Sequence, residues 1–436
     1  MADNPFTPTF GVTPPLLVGR DDVLDEFRIA LDGGPGDPGR AMLLTGVRGA
    51  GKTVALNACE DEAHRRGWAV ISKTVRPGLV LEMTSTRLPE LLTEMSGRTT
   101  KDTVTGVTVM AAGFGGGLTR QRTDRHPVVA SLRSQLTRLA DLHAARDSGV
   151  LLSLDEVHRQ AREDIRVIAH TVQHLFREGR PVAFLAAGLP AAIEDVLNDA
   201  VLTFLRRAER FVLGPVSAAD VALALRTPIE NAGRRITPEA LAIATSGTQG
   251  YPFLVQLVGY QTWAVRPDDA VIDASQARIG VERAVRRVGR LVLAPALGGL
   301  SRVDRSFLTA MAVDPGPSRM ADIADRLGVS STYASQYRLR LLAAEVIAPA
   351  GHGLVRFELP YLRDYLQDHP GTEVVLDEFR SGRSDGEPDQ AVVSRPRTSG
   401  VRGGARSVAA GTEPAAARPD RAAHRAAPGP EPGGHR

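Results

Sequence analysis

The sequence predicts an α/β protein: a parallel-sheet P-loop core, then a helical lid subdomain, a winged-helix domain and a disordered tail. Three observations point this way. Short apolar runs alternate with helix-period segments from residue 41 to 188, the pattern of a parallel sheet covered on both faces. The first run ends in a glycine-rich turn that enters a helix, Gly46-Val47-Arg48-Gly49-Ala50-Gly51-Lys52-Thr53. Beyond residue 217 the strand patterns stop and helical periods take over.

Taken in chain order, residues 1–15 are rich in Pro and Thr without apolar periodicity and read as a disordered arm. The core, residues 16–215, holds strands at AMLLTGV (41–47), WAVISKTV (68–75), GVLLSLDE (149–156) and PVAFLAAG (181–188), with helices through His64 and over 127–146 and 163–179. The glycine cluster in residues 101–122 lacks a following Lys-Thr and reads as a flexible hairpin or loop. Four helices fill residues 216–293, the lid. Residues 294–370 form the winged-helix unit, and 371–436, made largely of Arg, Pro, Gly and Ala, cannot bury enough apolar surface to order themselves.

At 436 residues the chain is too long for one core and suggests several domains. It has no run of about 20 apolar residues, which argues against a membrane span. The opening MADNPFTPTF lacks the basic and apolar regions of a signal peptide, so a cytoplasmic location is expected. Cys59 is the single cysteine, which excludes an internal disulfide and a Cys-based zinc site. The formal net charge of +3 is small, so any nucleic-acid affinity must come from a local patch. Lysine occurs only at positions 52, 73 and 101 among many arginines, which makes a lysine in the glycine-rich turn informative.

In Gly46–Thr53 the glycines let backbone N–H groups point inward at phosphate oxygens, and the following helix adds its positive end. Lys52 would reach the outer phosphates of ATP and the Thr53 hydroxyl would ligate Mg2+, with Val54 in the first turn behind them. LLSLDE (151–156) ends a strand in two acids, where open α/β sheets bind ligands. Asp155 would hold the metal and Glu156 would polarise the attacking water. His170 and His174 have a metal-compatible spacing but no third ligand, and read as an ordinary helix face.

With those motifs in place, LVGRDDVLDEF (17–27) resembles the segment before the P-loop in AAA+ ATPases of the origin-recognition initiator type and in signal-transduction (STAND) ATPases. The resemblance implies that Val18, Gly19 and Arg20 lie on the adenine side. Gly250-Tyr251-Pro252 looks like the G-x-P motif of STAND-like ATPases, which implies nucleotide contacts from Tyr251 and Pro252. FLRRAERFVLGPVS (204–217) is similar to the segment carrying a trans-acting arginine. Arg206 and Arg207, with Arg210 beside them, are then candidates for that finger or for structural ion pairs. Two departures stand out. The strand AFLAAG has Ala186 and Ala187 where a polar sensor is expected, and the G-x-P region has no sensor arginine. Both point to a slow ATPase acting as a switch.

In the C-terminal unit, Gly328-Val329 joins two helical segments as in a helix-turn-helix. Ser330 or Ser331 can cap the second. Ala334, Tyr337, Leu341 and Leu342 share an inner face. Ser331, Thr332, Ser335, Gln336, Arg338 and Arg340 are left outward, and Arg356 sits on the wing. Such groups suit base edges and phosphates of double-stranded DNA. Docking to a protein partner, or packing within the chain, uses the same fold. The favoured expectation is therefore an ATP-dependent, DNA-associated switch, with oligomer formation possible. The alternative is a STAND-like scaffold ATPase acting on a protein. A small-molecule kinase fits poorly, because a lid and winged helix follow the core where a substrate-binding insertion would be sought.

Overall fold

The computed structural model describes residues 3–9, 11–96, 131–199 and 202–369. The glycine segment of 101–122 and the 371–436 tail lie outside them. Helix α1 (Asp21–Asp32) leads to β1 (Ala41–Thr45), α2 (Lys52–Arg65) and β2 (Ala69–Thr74). Helix α3 (Leu79–Glu82) runs through a π-helical turn into α4 (Leu88–Ser96). Then come α5 (Leu132–Ala144), β3 (Val150–Val157), α6 (Arg162–Arg177), β4 (Val182–Gly188), α7 (Pro190–Leu197) and β5 (Glu209–Val212). The five strands are parallel in the order β2-β3-β4-β1-β5.

The period of a strand explains how β1 builds two cores at once. Ala41 and Leu43 join the apolar cluster with Leu152, Phe184 and Ile168, while Met42 and Leu44 join Phe27, Leu56 and Leu185 in the other. Successive side chains point to opposite faces, so a strand covered on both sides must be apolar throughout. Strand β4 lies between β1 and β3, which places the ends of the P-loop strand and the acidic strand on either side of it.

The lid comprises α8 (Ala218–Asn231), β6 (Arg235–Ile236), α9 (Pro238–Thr248), α10 (Pro252–Trp263), β7 (Val271–Ile272) and α11 (Ala274–Val288). Ser217, Thr237 and Asp273 each accept a backbone N–H at a helix start, satisfying donors that have no partner within the helix. Strands β6 and β7 pair in parallel but are two residues each, too short to leave a period in the sequence.

No linker follows at residue 293. Helix α11 continues through a π-helical turn (Gly289–Leu293) into α12 (Ala294–Gly298). The C-terminal unit then contains α13 (Arg302–Ala312), β8 (Ser318–Arg319), α14 (Met320–Leu327), α15 (Ser331–Ala343), β9 (Ile347–Pro349), β10 (Leu354–Phe357) and α16 (Leu362–Asp368). Its sheet is antiparallel in the order β8-β10-β9, with β8 adding a strand to the expected two-stranded hairpin. Lid and C-terminal unit share one apolar cluster that includes Val221, Leu257, Phe307, Leu341 and Leu362. Among the described residues no helix is long and apolar enough to cross a membrane.

The expectation of a disordered arm is corrected for residues 3–9. Phe6 is only 2% exposed and belongs to the lid cluster. Gly259 makes room for it, since a Cβ there would run into the Phe6 ring. The Asn4 side-chain amide donates to the Tyr260 carbonyl at 3.1 Å, and the Thr7 N–H donates to Gln256 Oε1 at 3.2 Å. One buried aromatic and a few hydrogen bonds fix a segment that makes no regular element, so periodicity could not reveal it. Phe6→Ala should destabilise the protein by about 3 kcal/mol through the cavity it leaves, read as a lower midpoint in thermal or urea unfolding.

Candidate nucleotide site

The P-loop leaves β1 at Gly46 and enters α2 at Lys52. Gly49 and Gly51 have φ of +80° and +88°, a region that L side chains enter only with strain. At Gly49 a side chain would also run into the Tyr251 hydroxyl. Lys52 Nζ donates to the carbonyls of Gly46 and Val47 at 2.6 and 2.9 Å, so the ammonium lies within the loop. Burial holds its pKa below the ordinary lysine value, opposed by the charges of Glu345 and then Asp155.

At the end of β3, Asp155 accepts a 2.6 Å hydrogen bond from the Thr53 hydroxyl. The two side chains expected to hold a cation therefore meet, although they come from opposite ends of the sequence motif set. Glu156 is exposed, has φ of +56° and occupies the irregularity in the β3–β4 ladder between Leu154 and Val157. This bulge turns it away from the strand's inward period. Its N–H donates to Asp155 Oδ1 at 2.8 Å. Strand β4 ends in buried Ala186 and Ala187, so no polar side chain stands at these two positions between Asp155 and the P-loop.

The lid touches the same loop. Tyr251 is buried, precedes α10 and donates its hydroxyl to the Arg48 carbonyl. Burial pushes the phenol up to about 12, so it remains a donor at neutral pH. Pro252 opens α10 beside Gly51. Val18 is partly buried against the lid cluster, and Gly19 lies against Val216, whose N–H donates to the Gly250 carbonyl at 2.7 Å. Arg20 departs from expectation: its buried guanidinium donates to the carbonyls of Gly19, Ala50 and Gly214 at 2.7–3.0 Å. It braces the backbone on three segments and is not free to meet a base.

Residues 16–185 match the AAA ATPase domain, and the chain carries such a domain. Residues 291–366 match a domain of unknown function (DUF8462). A Walker-type ATPase of Pyrococcus abyssi has a similar structure, with a TM-score of 0.57 at 15% identity over 80% of this chain and 96% of that one. The ORC2 protein of Aeropyrum pernix, solved as ADPNP-ADP complexes, has a TM-score of 0.53 at 15% identity over 86% of this chain and 97% of its own. At that identity the likeness shows the fold alone. Comparison with curated proteins gives no match.

Two groups of expected site residues stand apart from the P-loop. Arg206 and Arg207 are exposed in the turn before β5, and Arg206 donates to the Leu197 carbonyl at 2.9 Å. In the β1–β5 register, Glu209 pairs with Met42, so both arginines lie at the far end of the sheet, roughly 20 Å of strand from Gly46. They could serve only another molecule's site. On α15, Ser331, Thr332, Ser335 and Gln336 are exposed and Arg338 is half-buried. Ser335 donates back to the Ser331 carbonyl at 2.8 Å.

Arg340 is not the free cation expected. It pairs at 3.0 Å with Asp304, a carboxylate only 3% exposed that also accepts from the Ser301 N–H and hydroxyl at the start of α13. Arg356 pairs with Glu358 at 3.1 Å, and its half-exposed side chain stands at the edge of a cleft of ≈ 340 Å³ lined also by Val47, Ala50, Tyr251 and Glu358, between P-loop, lid and C-terminal unit. It is thus tied to a neighbour just beyond its own strand while remaining exposed. Sequence reasoning missed Glu345 altogether. Its one signal was an acidic residue at a helix end where Gly or Asn is preferred.

Arg340→Ala should cost about 2 kcal/mol by leaving Asp304 buried without its cation, whereas Arg338→Ala should leave the unfolding midpoint unchanged. Glu345 gives a pH test. Burial pushes its carboxyl up to about 7, Lys52 pulls it down and Glu358 adds to the rise. Arg48, Asp155, Glu156 and Arg356 share this neighbourhood. The folded state thus holds the proton more tightly than the unfolded chain does. That contribution is complete below the unfolded value of 4.5 and is lost as pH rises through about 7. Unfolding midpoints compared between pH 4.5 and 8 should show the wild type losing stability relative to Glu345→Gln across this window.

Proposed function

We propose that this protein is a slowly hydrolysing ATP switch whose nucleotide state sets the position of its C-terminal unit. The observation that carries the reading is the convergence of three parts on one loop. Tyr251 of the lid sits on the Arg48 carbonyl, and the C-terminal segment Arg356–Glu358 lines the cleft against Val47 and Ala50. A ligand that fills the P-loop must act on both neighbours.

The residues fit a nucleotide with its cation. The positive φ of Gly49 and Gly51 suits a loop whose amides would meet phosphate, Lys52 would reach the outer phosphates, and Thr53 and Asp155 would hold Mg2+. Bound there, Mg2+ supplies charge neutralisation on the phosphates. Glu156 is the candidate to orient water. Slow turnover follows from Ala186 and Ala187 at the end of β4, the lack of an arginine in Gly250-Tyr251-Pro252, and the distance of Arg206 and Arg207. A donated arginine is worth roughly 10³–10⁵ in turnover, so its lack within one molecule leaves hydrolysis slow.

For the partner of α15, double-stranded DNA remains the reading that Thr332, Gln336 and Arg338 support. Leu339 at 63% exposure and Tyr333 at 38%, on the same helix, favour instead a protein partner or a second copy of this chain. The pairing of Arg340 and Arg356 within the protein weighs the same way.

Direct measurement separates these. ATP binding should vanish in Lys52→Ala, persist in Glu156→Gln while hydrolysis stops, and support only slow turnover in the wild type. A multi-turnover rate of several per second for the protein alone would contradict the switch. DNA contact predicts that Arg338→Ala lowers the salt dependence of duplex binding by about one counterion. No duplex binding at any salt, with ATP-dependent assembly intact, selects the protein partner.

A further inference from the structure

Helix α15 ends at Ala343 with Ala344 as its cap, and the chain reverses at Glu345. Glu345 has φ of +58°. Its N–H donates to the Leu342 carbonyl at 3.1 Å, and the Val346 N–H donates to the Leu341 carbonyl at 3.2 Å. This wrap is one that Gly or Asn adopts without strain. The Glu345 side chain is nevertheless 8% exposed, and neither carboxylate oxygen has a hydrogen-bond donor. A strained backbone and an unsatisfied buried charge at one residue are two separate costs, and such residues concentrate where a conformation is used.

The fold shows what the carboxylate faces. The Glu358 N–H donates to the Val346 carbonyl at 3.0 Å, so Glu358 runs beside Glu345, and Glu358 lines the cleft opposite Val47 and Ala50. Among the carboxylates acting on Lys52, Glu345 is the strongest, ahead of Asp155. Lys52 itself donates to the Gly46 and Val47 carbonyls, which leaves Glu345 without a donor. An acid borne by the C-terminal unit is thus set against a loop shaped for anions.

We propose that Glu345 senses nucleotide charge: bound polyphosphate repels its carboxylate, so ATP drives the C-terminal unit away from the P-loop, and the closed arrangement weakens ATP binding in return. The inference rests on the reading of the P-loop as an ATP site. Like charges in a cleft screened from water repel far more than in solution. The effect must also be reciprocal, because a contact that ATP disfavours is one that disfavours ATP.

The test uses the full chain at pH 8, as wild type, Glu345→Gln and Glu345→Gly. The glycine variant removes the backbone strain together with the charge, so it should fold at least as well. ATP affinity is measured by titration calorimetry, and amide exchange is followed over residues 354–364. Both variants should bind ATP about tenfold more tightly, and ATP should speed exchange of 354–364 in the wild type more than in either variant. Unchanged or weaker ATP binding by the variants, or slower exchange of that segment in the ATP-bound wild type, overturns the proposal. Failure of all three proteins to bind ATP refutes the ATP site itself, and the sensor with it.

Discussion

The Thr53–Asp155 hydrogen bond at 2.6 Å imposes a demand on the whole core. Its partners belong to the first turn of α2, which follows β1, and to β3, and β4 runs between those two strands. Non-adjacent strands stand roughly 10 Å apart, so the two side chains meet only if the end of β4 leaves space above it. Strand β4 ends in Ala186, Ala187 and Gly188. The residues that allow this approach are also those that deprive the site of a polar side chain there.

A second constraint ties the loop to its surroundings. Arg20 binds carbonyls on Gly19, Ala50 and Gly214 and so joins the segment before α1, the P-loop and the exit of β5 into one rigid frame. The chain enters the lid just beyond, at Ser217. Tyr251 then returns from the lid to the Arg48 carbonyl, and the N-terminal arm crosses back, with Phe6 in the lid and the Asn57 side chain donating to the Gly11 carbonyl at 3.2 Å. Lid and P-loop are coupled through few contacts of high quality.

Lid and C-terminal unit share one core, so they would move together. Tyr361 reinforces this by donating its hydroxyl to the Gly247 carbonyl at 2.7 Å. Packed side chains thus run without a break from the lid to α15. The outward face of α15 is less cationic than its sequence suggests, since Arg340 stabilises the start of α13 through Asp304.

The sequence by itself determined the α/β core, the helical lid, the glycine-rich loop with Lys52 and the acidic strand end at Asp155. Each is written in local chemistry: an apolar period, a glycine where φ must be positive, an acid at the end of a strand. Tertiary structure alone decided the rest. It docked Phe6 from a segment with no period, committed Arg20 and Arg340 to partners distant in sequence, set Arg356 at the edge of the cleft beside the P-loop, placed Arg206 and Arg207 at the far end of the sheet and set Glu345 against the P-loop. An arginine or a glutamate has the same sequence signature whether it faces water, a carbonyl or another charge. Only the packing of remote segments settles which of these it meets.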